Sequence, residues 1–240
     1  MTVLNDLATA VRKSGLPVVE TQGWKSRGHG PFTAVETIVC HHTAGPATGN
    51  MPSLGVVKDG RPGLSGPLCN LGLARDGTVY VVAAGIAWHA GVVRSSAYQN
   101  THAIGIEAEA TGTGPWSSVQ MDAYAKLCRA LCEHYGIPIA RVLGHKEVCS
   151  PPGRKIDPNF DMGAFRKRVT NASLEDDMPL TDADVKKIVD GLRPVIREEV
   201  ASFVGDVVKV PEGDPSFDPK NPTIRVAGAL SRILGRTGKA

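Results

Sequence analysis

Residues 36–45, ETIVCHHTAG, join a β-branched and apolar run, Thr37-Ile38-Val39-Cys40, to two adjacent histidines. Such a run reads as a buried strand, here over residues 35–42, and Thr43-Ala44-Gly45-Pro46 breaks it. Successive strand side chains point to opposite faces, so only one of His41 and His42 can look into any one pocket. A histidine at a strand end is more often a hydrogen-bonded structural residue than a ligand. The weight of the pair therefore rests on what other segments bring to it.

The flanking segments alternate between strand and helix patterns. Residues 2–14 read as an amphipathic helix stopped near Gly15 and Pro17, and GWKSRGHGPF (23–32) as irregular chain. Residues 45–67 are dense in Gly and Pro and read as one long loop, a feature that is usually functional or disordered. NLGLARDGTVYVVAAG (70–85) reads as strand, Asp76-Gly77 turn, strand. In HAIGIEAEA (102–110), Ile104, Ile106, Ala108 and Ala110 share one face, with Gly105, Glu107 and Glu109 on the other.

The clearest helix is SSVQMDAYAKLCRALCEHYGIP (117–138), with Ser117 and Gln120 at capping-box spacing and Gly136 and Pro138 as its stop. ARVLGHKEV (140–148) reads as a short strand ending at His145. Strands interleaved with helices predict the α/β class with a central mixed sheet.

Composition changes after about residue 170. Residues 1–172 are expected to form the main domain, 173–180 a polar linker, and 181–240 a helical C-terminal region. In that region Val185, Ile188, Val189, Leu192, Ile196, Val200, Phe203 and Val207 form an apolar stripe interrupted by Pro194. A helical packing face is the default reading of the stripe; wall binding and self-association through these helices are the alternatives.

A net charge of +3 is too small to argue for nucleic acid, though it suits an anionic polymer surface. No stretch approaches the roughly 20 apolar residues of a membrane span, and the N-terminal residues lack a signal-peptide layout. A chain made in the cytoplasm, with no membrane insertion, is the expectation. The five cysteines are scattered and include no C-x-x-C, which predicts buried thiols over a disulfide framework.

Three segments carry the chemistry. His41 ends one strand, His145 ends another, and GRKIDPNFD (153–161) supplies Lys155 and Asp157 two positions apart. Two imidazoles and a carboxylate make a three-ligand set for zinc with a fourth position open for water, whose pKa would fall to about 7. If 155–157 is extended, Lys155 faces the side of Asp157 and can stabilise an oxyanion. Cys149, four residues after His145, is the rival third ligand. Spacing alone does not link His41 to residues more than a hundred positions away.

In sequence order VCHHTAG, AWHAG, IGIEAE, GHKEV and GRKIDP resemble the motifs of type-2 N-acetylmuramoyl-L-alanine amidases, over roughly residues 20–165. That superfamily includes phage amidase lysozymes, bacterial muropeptide amidases and peptidoglycan recognition proteins. VVETQGWKSRGHG (18–30) and the tail look most like endolysins of phages that infect actinobacteria. The resemblance implies a central mixed sheet flanked by helices with zinc above it. It also implies His41, His145 and Asp157 as metal ligands, Lys155 as the residue assisting the intermediate, and Glu107 as proton acceptor for the attacking water.

His89 of AWHAG is a candidate substrate contact, with a packed loop histidine as the alternative. His42 is expected to be structural, Glu109 solvated or orienting its neighbour, and His29, His102 and His134 surface residues. Many relatives carry a tyrosine a few residues before RDG where this chain has Cys69 or Asn70, which shifts weight to Glu107.

The implied function is hydrolysis of the amide between N-acetylmuramic acid and L-alanine in peptidoglycan, for host lysis. An endolysin with no export signal would reach the wall after membrane permeabilisation. A non-catalytic peptidoglycan-binding module and a zinc peptidase of the stem peptide are the alternatives.

Overall fold

A computed structural model describes residues 1–174, which fall in the first of the two units into which the chain divides, Met1–Asp177. The linker from residue 175 onward and the expected helical region 181–240 lie outside the described residues. The elements are α1 (Leu7–Arg12), β1 (Val18–Glu20), β2 (Thr37–His42), α2 (Leu54–Asp59), β3 (Gly60–Arg61), β4 (Leu64–Ser65), β5 (Leu71–Leu73) and β6 (Val79–Val81), followed by β7 (Ala103–Ala108), α3 (Ser118–Tyr135), β8 (Val142–Gly144), α4 (His145–Val148) and α5 (Met162–Asn171).

Six strands form one mixed sheet in the order β1-β6-β5-β7-β2-β8, in which only the β5–β6 hairpin is antiparallel. The central strands β2 and β7 lie between neighbours and are covered on both faces. That is why Ile38-Val39-Cys40 is an unbroken apolar run and not an alternating one. Ile38, Cys40, Ile104, Ile106 and Ala108 pack into the main core with residues of α1, α3 and α5. Val39 and Ala103 point to the opposite face, in a smaller cluster with Leu143 and Val148. His41 and Glu107 continue that second face, and they are register partners at the carboxyl ends of their strands. Open α/β sheets bind ligands beyond the carboxyl ends of their strands, and the candidate site lies there.

The α3 helix follows its sequence signals. Ser117 accepts the Gln120 amide at its N-cap, and Gly136 closes it with φ of 68°. The Gln120 side chain does not reach back to complete a capping box. Its Nε2 donates to the Glu109 carbonyl at 2.9 Å and so ties the helix to the end of β7.

Three expectations need correction, and two elements went unread. The first helix is shorter than 2–14, because Thr2 exchanges backbone hydrogen bonds with Phe32 and leaves only Leu7–Arg12 helical. The long 45–67 segment is not one loop: it holds α2 and the β3–β4 hairpin. His145 does not end a strand but begins α4. The two unread elements are strand β1, at the start of the 18–30 stretch, and α5, just before the composition shift.

All five cysteines are buried and free, as their scatter implied. Among the described residues, no helix is long and apolar enough to cross a membrane.

Candidate metal centre and cleft

The floor of the site is built from three chain segments. His41 comes from the end of β2, where its backbone N–H donates to the Tyr124 hydroxyl of α3 at 3.1 Å. His145 comes from the first residue of α4, whose entry is fixed by Glu147 accepting the Gly144 amide at 2.9 Å while Arg166 grips Glu147 from α5. Asp157 is brought beside His145 by a backbone bond from the Lys146 amide to its carbonyl at 2.8 Å. A potential metal-ligand group results: one atom each of His41, His145 and Asp157 lie within 4.8 Å of one another. Asp157 Oδ2 is 3.1 Å from His41 Nδ1 and 3.1 Å from His145 Nδ1.

The other ring nitrogen of each histidine is held from behind. His145 Nε2 meets the Ala90 carbonyl at 3.0 Å, and His41 Nε2 meets His89 Nδ1 at 3.1 Å. A carbonyl can only accept, so His145 Nε2 carries the hydrogen and its Nδ1 turns a lone pair to Asp157. Both inward-facing groups are then acceptors, and only an added proton or cation closes that contact. Two imidazole nitrogens and a carboxylate oxygen suit zinc, so the residues fit the metal.

Burial dominates the electrostatics. It lowers the His41 imidazole to about 4, against which the Asp157 hydrogen bond pulls upward. Burial would raise the Asp157 carboxyl, but its contacts with His145 and His41 hold it well below the usual range. Glu107 lies 3.9 Å from His41 Nδ1 with a buried Oε2 that has no partner. Burial pushes its carboxyl up to about 8, the charge on Asp157 adds to this, and Lys155 opposes it.

These groups open into a cleft of about 850 Å³. Lys155 and Arg154 line one part of it, and Val56, Val57, Arg61 and Leu64 of α2 and the β3–β4 hairpin line another. The segment read as a long loop is thus a wall of the cleft. Trp88, Val56 and Ile156, among the few large apolar side chains left exposed, all lie along the cleft.

The remaining sequence candidates are distributed as follows. His89 is buried with both ring nitrogens engaged inside the protein, on His41 and on the Ala103 carbonyl. His42 projects from the opposite face of β2 and lies 6.5 Å from the Trp116 ring, centroid to centroid. Cys149 is outside the ligand group and donates its thiol to the Lys146 and Pro151 carbonyls. Of Cys69 and Asn70, Asn70 spends its side chain on the Ala83 and Gly85 carbonyls and the Gly105 amide, and Cys69 is buried.

Glu109 is not solvated. It is fully buried and accepts from the Thr43 hydroxyl, the Ser53 amide and the Ser53 hydroxyl, which pins the loop before α2. His29, His102 and His134 are half-buried, and His29 stacks on Trp88 at 3.7 Å. Tyr124 and Asn100 were missed. Tyr124 is one of several buried residues at helical spacing in α3, and Asn100 sits in a polar loop with no periodicity to mark it.

The family model described as N-acetylmuramoyl-L-alanine amidase matches residues 31–160. The 1,6-anhydro-N-acetylmuramyl-L-alanine amidase AmpD of Enterobacter cloacae is 36% identical over 110 residues, covering 42% of this chain and 56% of that protein. AmpD of Escherichia coli K12 is 37% identical over 107 residues, covering 41% and 56%. The chain thus spans about half the length of the curated relatives it matches. A crystal structure of an AmpD derivative superposes with a TM-score of 0.48 and 24% identity, over 64% of this chain and 94% of that one. Since the family match takes in more than half of its residues, including His41, Glu107, His145 and Asp157, the chain belongs to the N-acetylmuramoyl-L-alanine amidase family.

Proposed function

We propose that the cleft is the active site of a zinc-dependent N-acetylmuramoyl-L-alanine amidase, which hydrolyses the amide between N-acetylmuramic acid and L-alanine in peptidoglycan. The observation that carries this reading is the meeting of His41 Nδ1, His145 Nδ1 and Asp157 Oδ2 on the floor of an open cleft. These three residues would hold the metal. Zinc bound there would supply Lewis acidity, polarising a carbonyl and lowering the pKa of a water.

The chain's own residues do the rest. Glu107 lies beside the ligand set, with Oε1 3.9 Å from His41 Nδ1 and a buried Oε2 that has no partner, so the carboxylate is free to take a proton from the attacking water. Its ionised form is favoured once positive charge occupies the adjacent ligand set. Lys155, exposed along the cleft, supplies the positive charge that an oxyanion needs on the scissile carbonyl. After the C–N bond breaks, the proton held on Glu107 passes to the leaving amine of L-alanine. The exposed Trp88 offers an apolar face to a sugar ring or a peptide at the mouth.

The resemblance of residues 18–30 and of the tail to actinobacteriophage endolysins supports a role in host lysis. Mass spectrometry of digested actinobacterial wall tests the reading. New L-alanine amino termini with intact glycan strands are expected. Cleavage within the stem peptide, with the muramyl bond intact, would mean a peptidase, and an unchanged wall would mean a binding module.

A further inference from the structure

The ring nitrogens of the ligand set that do not face Asp157 are each held by a hydrogen bond. Both histidine Nε2 atoms are met by consecutive residues of one loop, His41 by the His89 ring and His145 by the Ala90 carbonyl. The His89 ring is itself fixed, because its Nε2 lies 3.1 Å from the Ala103 carbonyl at the start of β7. That carbonyl accepts only, so His89 Nε2 is the donor, and in the neutral imidazole Nδ1 is left as the acceptor. His41 Nε2 must then be the donor to His89, and its lone pair is on Nδ1, facing Asp157. The chain of bonds from Ala103 through His89 to His41 therefore selects one tautomer at the metal-facing atom.

One side chain bonds the backbone amides of both residues in this dipeptide. Asn100 Oδ1 accepts from the His89 amide at 3.1 Å and from the Ala90 amide at 2.8 Å. Its Nδ2 makes no hydrogen bond among the described residues, so the acceptor oxygen is the part in use. Arg154 holds the same loop from the other side, with Nη2 3.3 Å from the Ala90 carbonyl and 2.7 Å from that of Val92. Space for the His89 ring is provided by Gly105, where a Cβ would meet the ring carbons at 2.5 Å.

We propose that Asn100 is a positioning residue for the metal centre: through the His89-Ala90 dipeptide it fixes which nitrogen of His41 and of His145 faces the cation. The inference rests on the reading of His41, His145 and Asp157 as ligands. Outer hydrogen bonds of this kind orient ligating imidazoles, and their removal typically weakens metal binding 10–100-fold. Asn100 touches neither ligand, and it acts only by where it places the dipeptide.

The test uses the full chain, stripped of metal, and reads zinc affinity by competition with a chromophoric chelator together with the visible spectrum of the cobalt(II) form. Asn100→Ala is expected to bind zinc about 10–100-fold more weakly and to shift the cobalt bands. Asn100→Asp, which keeps the acceptor oxygen, is expected to stay within about threefold of wild type. A folded Asn100→Ala variant with wild-type affinity and spectrum would overturn the proposal. If that variant does not fold, His89→Phe decides, since it fills the ring's niche without an acceptor. Weakened zinc binding supports the relay, and unchanged binding overturns it. A wild-type chain that binds no zinc would overturn the ligand reading and this inference together.

Discussion

Glu107 and His41 face each other across adjacent strands, and burial acts on them with opposite sign. The carboxyl is pushed up to about 8 from 4.5, and the imidazole down to about 4 from 6.5. For the protein stripped of metal, the consequence for stability follows from proton counts. Between pH 6.5 and 8 the folded chain keeps a proton on Glu107 that the unfolded chain has released, so this group makes stability fall as pH rises. Below 6.5 the neutral buried rings of His41 and His89 oppose it, because unfolding lets them protonate. Urea titrations of the stripped protein should therefore lose stability from pH 6.5 to 8, by up to about 1.4 kcal/mol per pH unit. Glu107→Gln should flatten that decline, and an unchanged slope would remove burial of this carboxyl as its cause. With zinc restored, the same variant should keep the metal while kcat falls about 10²–10⁴-fold, as loss of a general base does.

His41 and Glu107 come from strand ends, and the sheet explains why they meet. Parallel neighbours β2 and β7 put His41 and Glu107 in register, and the apolar run before His41 announced the strand that does this. Local pattern was enough for β2, the β5–β6 hairpin, β7 and α3, because each carries its own periodicity or turn. It failed where long-range pairing decides. Three residues such as β1 become a strand only through their neighbour β6, and α2 hides in a Gly- and Pro-rich stretch because its partners lie elsewhere.

The grouping of His41, His145 and Asp157 was legible through family motifs, not through spacing, since nothing local connects residue 41 to residues 145 and 157. Glu109 was misread because alternation assigns a face, not a solvent. It lies on Glu107's face, but that face is roofed by the loop it pins. Glu109→Ala would strand the Thr43 hydroxyl and the Ser53 amide and hydroxyl, costing about 1–3 kcal/mol. Because this latch holds the α2 wall and not the ligand set, KM should rise by more than kcat falls, with zinc content unchanged. Steady-state kinetics on a soluble muropeptide would show it, and loss of zinc instead would contradict it.

At the scale of the molecule, one side of the sheet is a continuous core under α1, α3 and α5, while the other ends in a cleft ringed by short elements and loops. Metal at the junction of β2, α4 and the 153–161 segment would fasten pieces of chain far apart in sequence. A ligand present at 100 times its Kd stabilises by about 2.7 kcal/mol, so chelation should lower the thermal midpoint by roughly 5–11 °C, and zinc should restore it. Calorimetry with and without chelator checks this, and an unmoved midpoint would mean that the cleft is held by protein contacts alone.

The central claim, that two imidazoles and a carboxylate share one cation, is tested most directly by X-ray absorption at the zinc edge of the loaded protein. The account predicts one zinc per chain with only nitrogen and oxygen neighbours at about 2.0–2.2 Å, including two imidazoles, one of which disappears in His41→Ala. A sulfur neighbour at about 2.3 Å would hand the third position to Cys149, and a zinc shell indifferent to His41 would contradict the account.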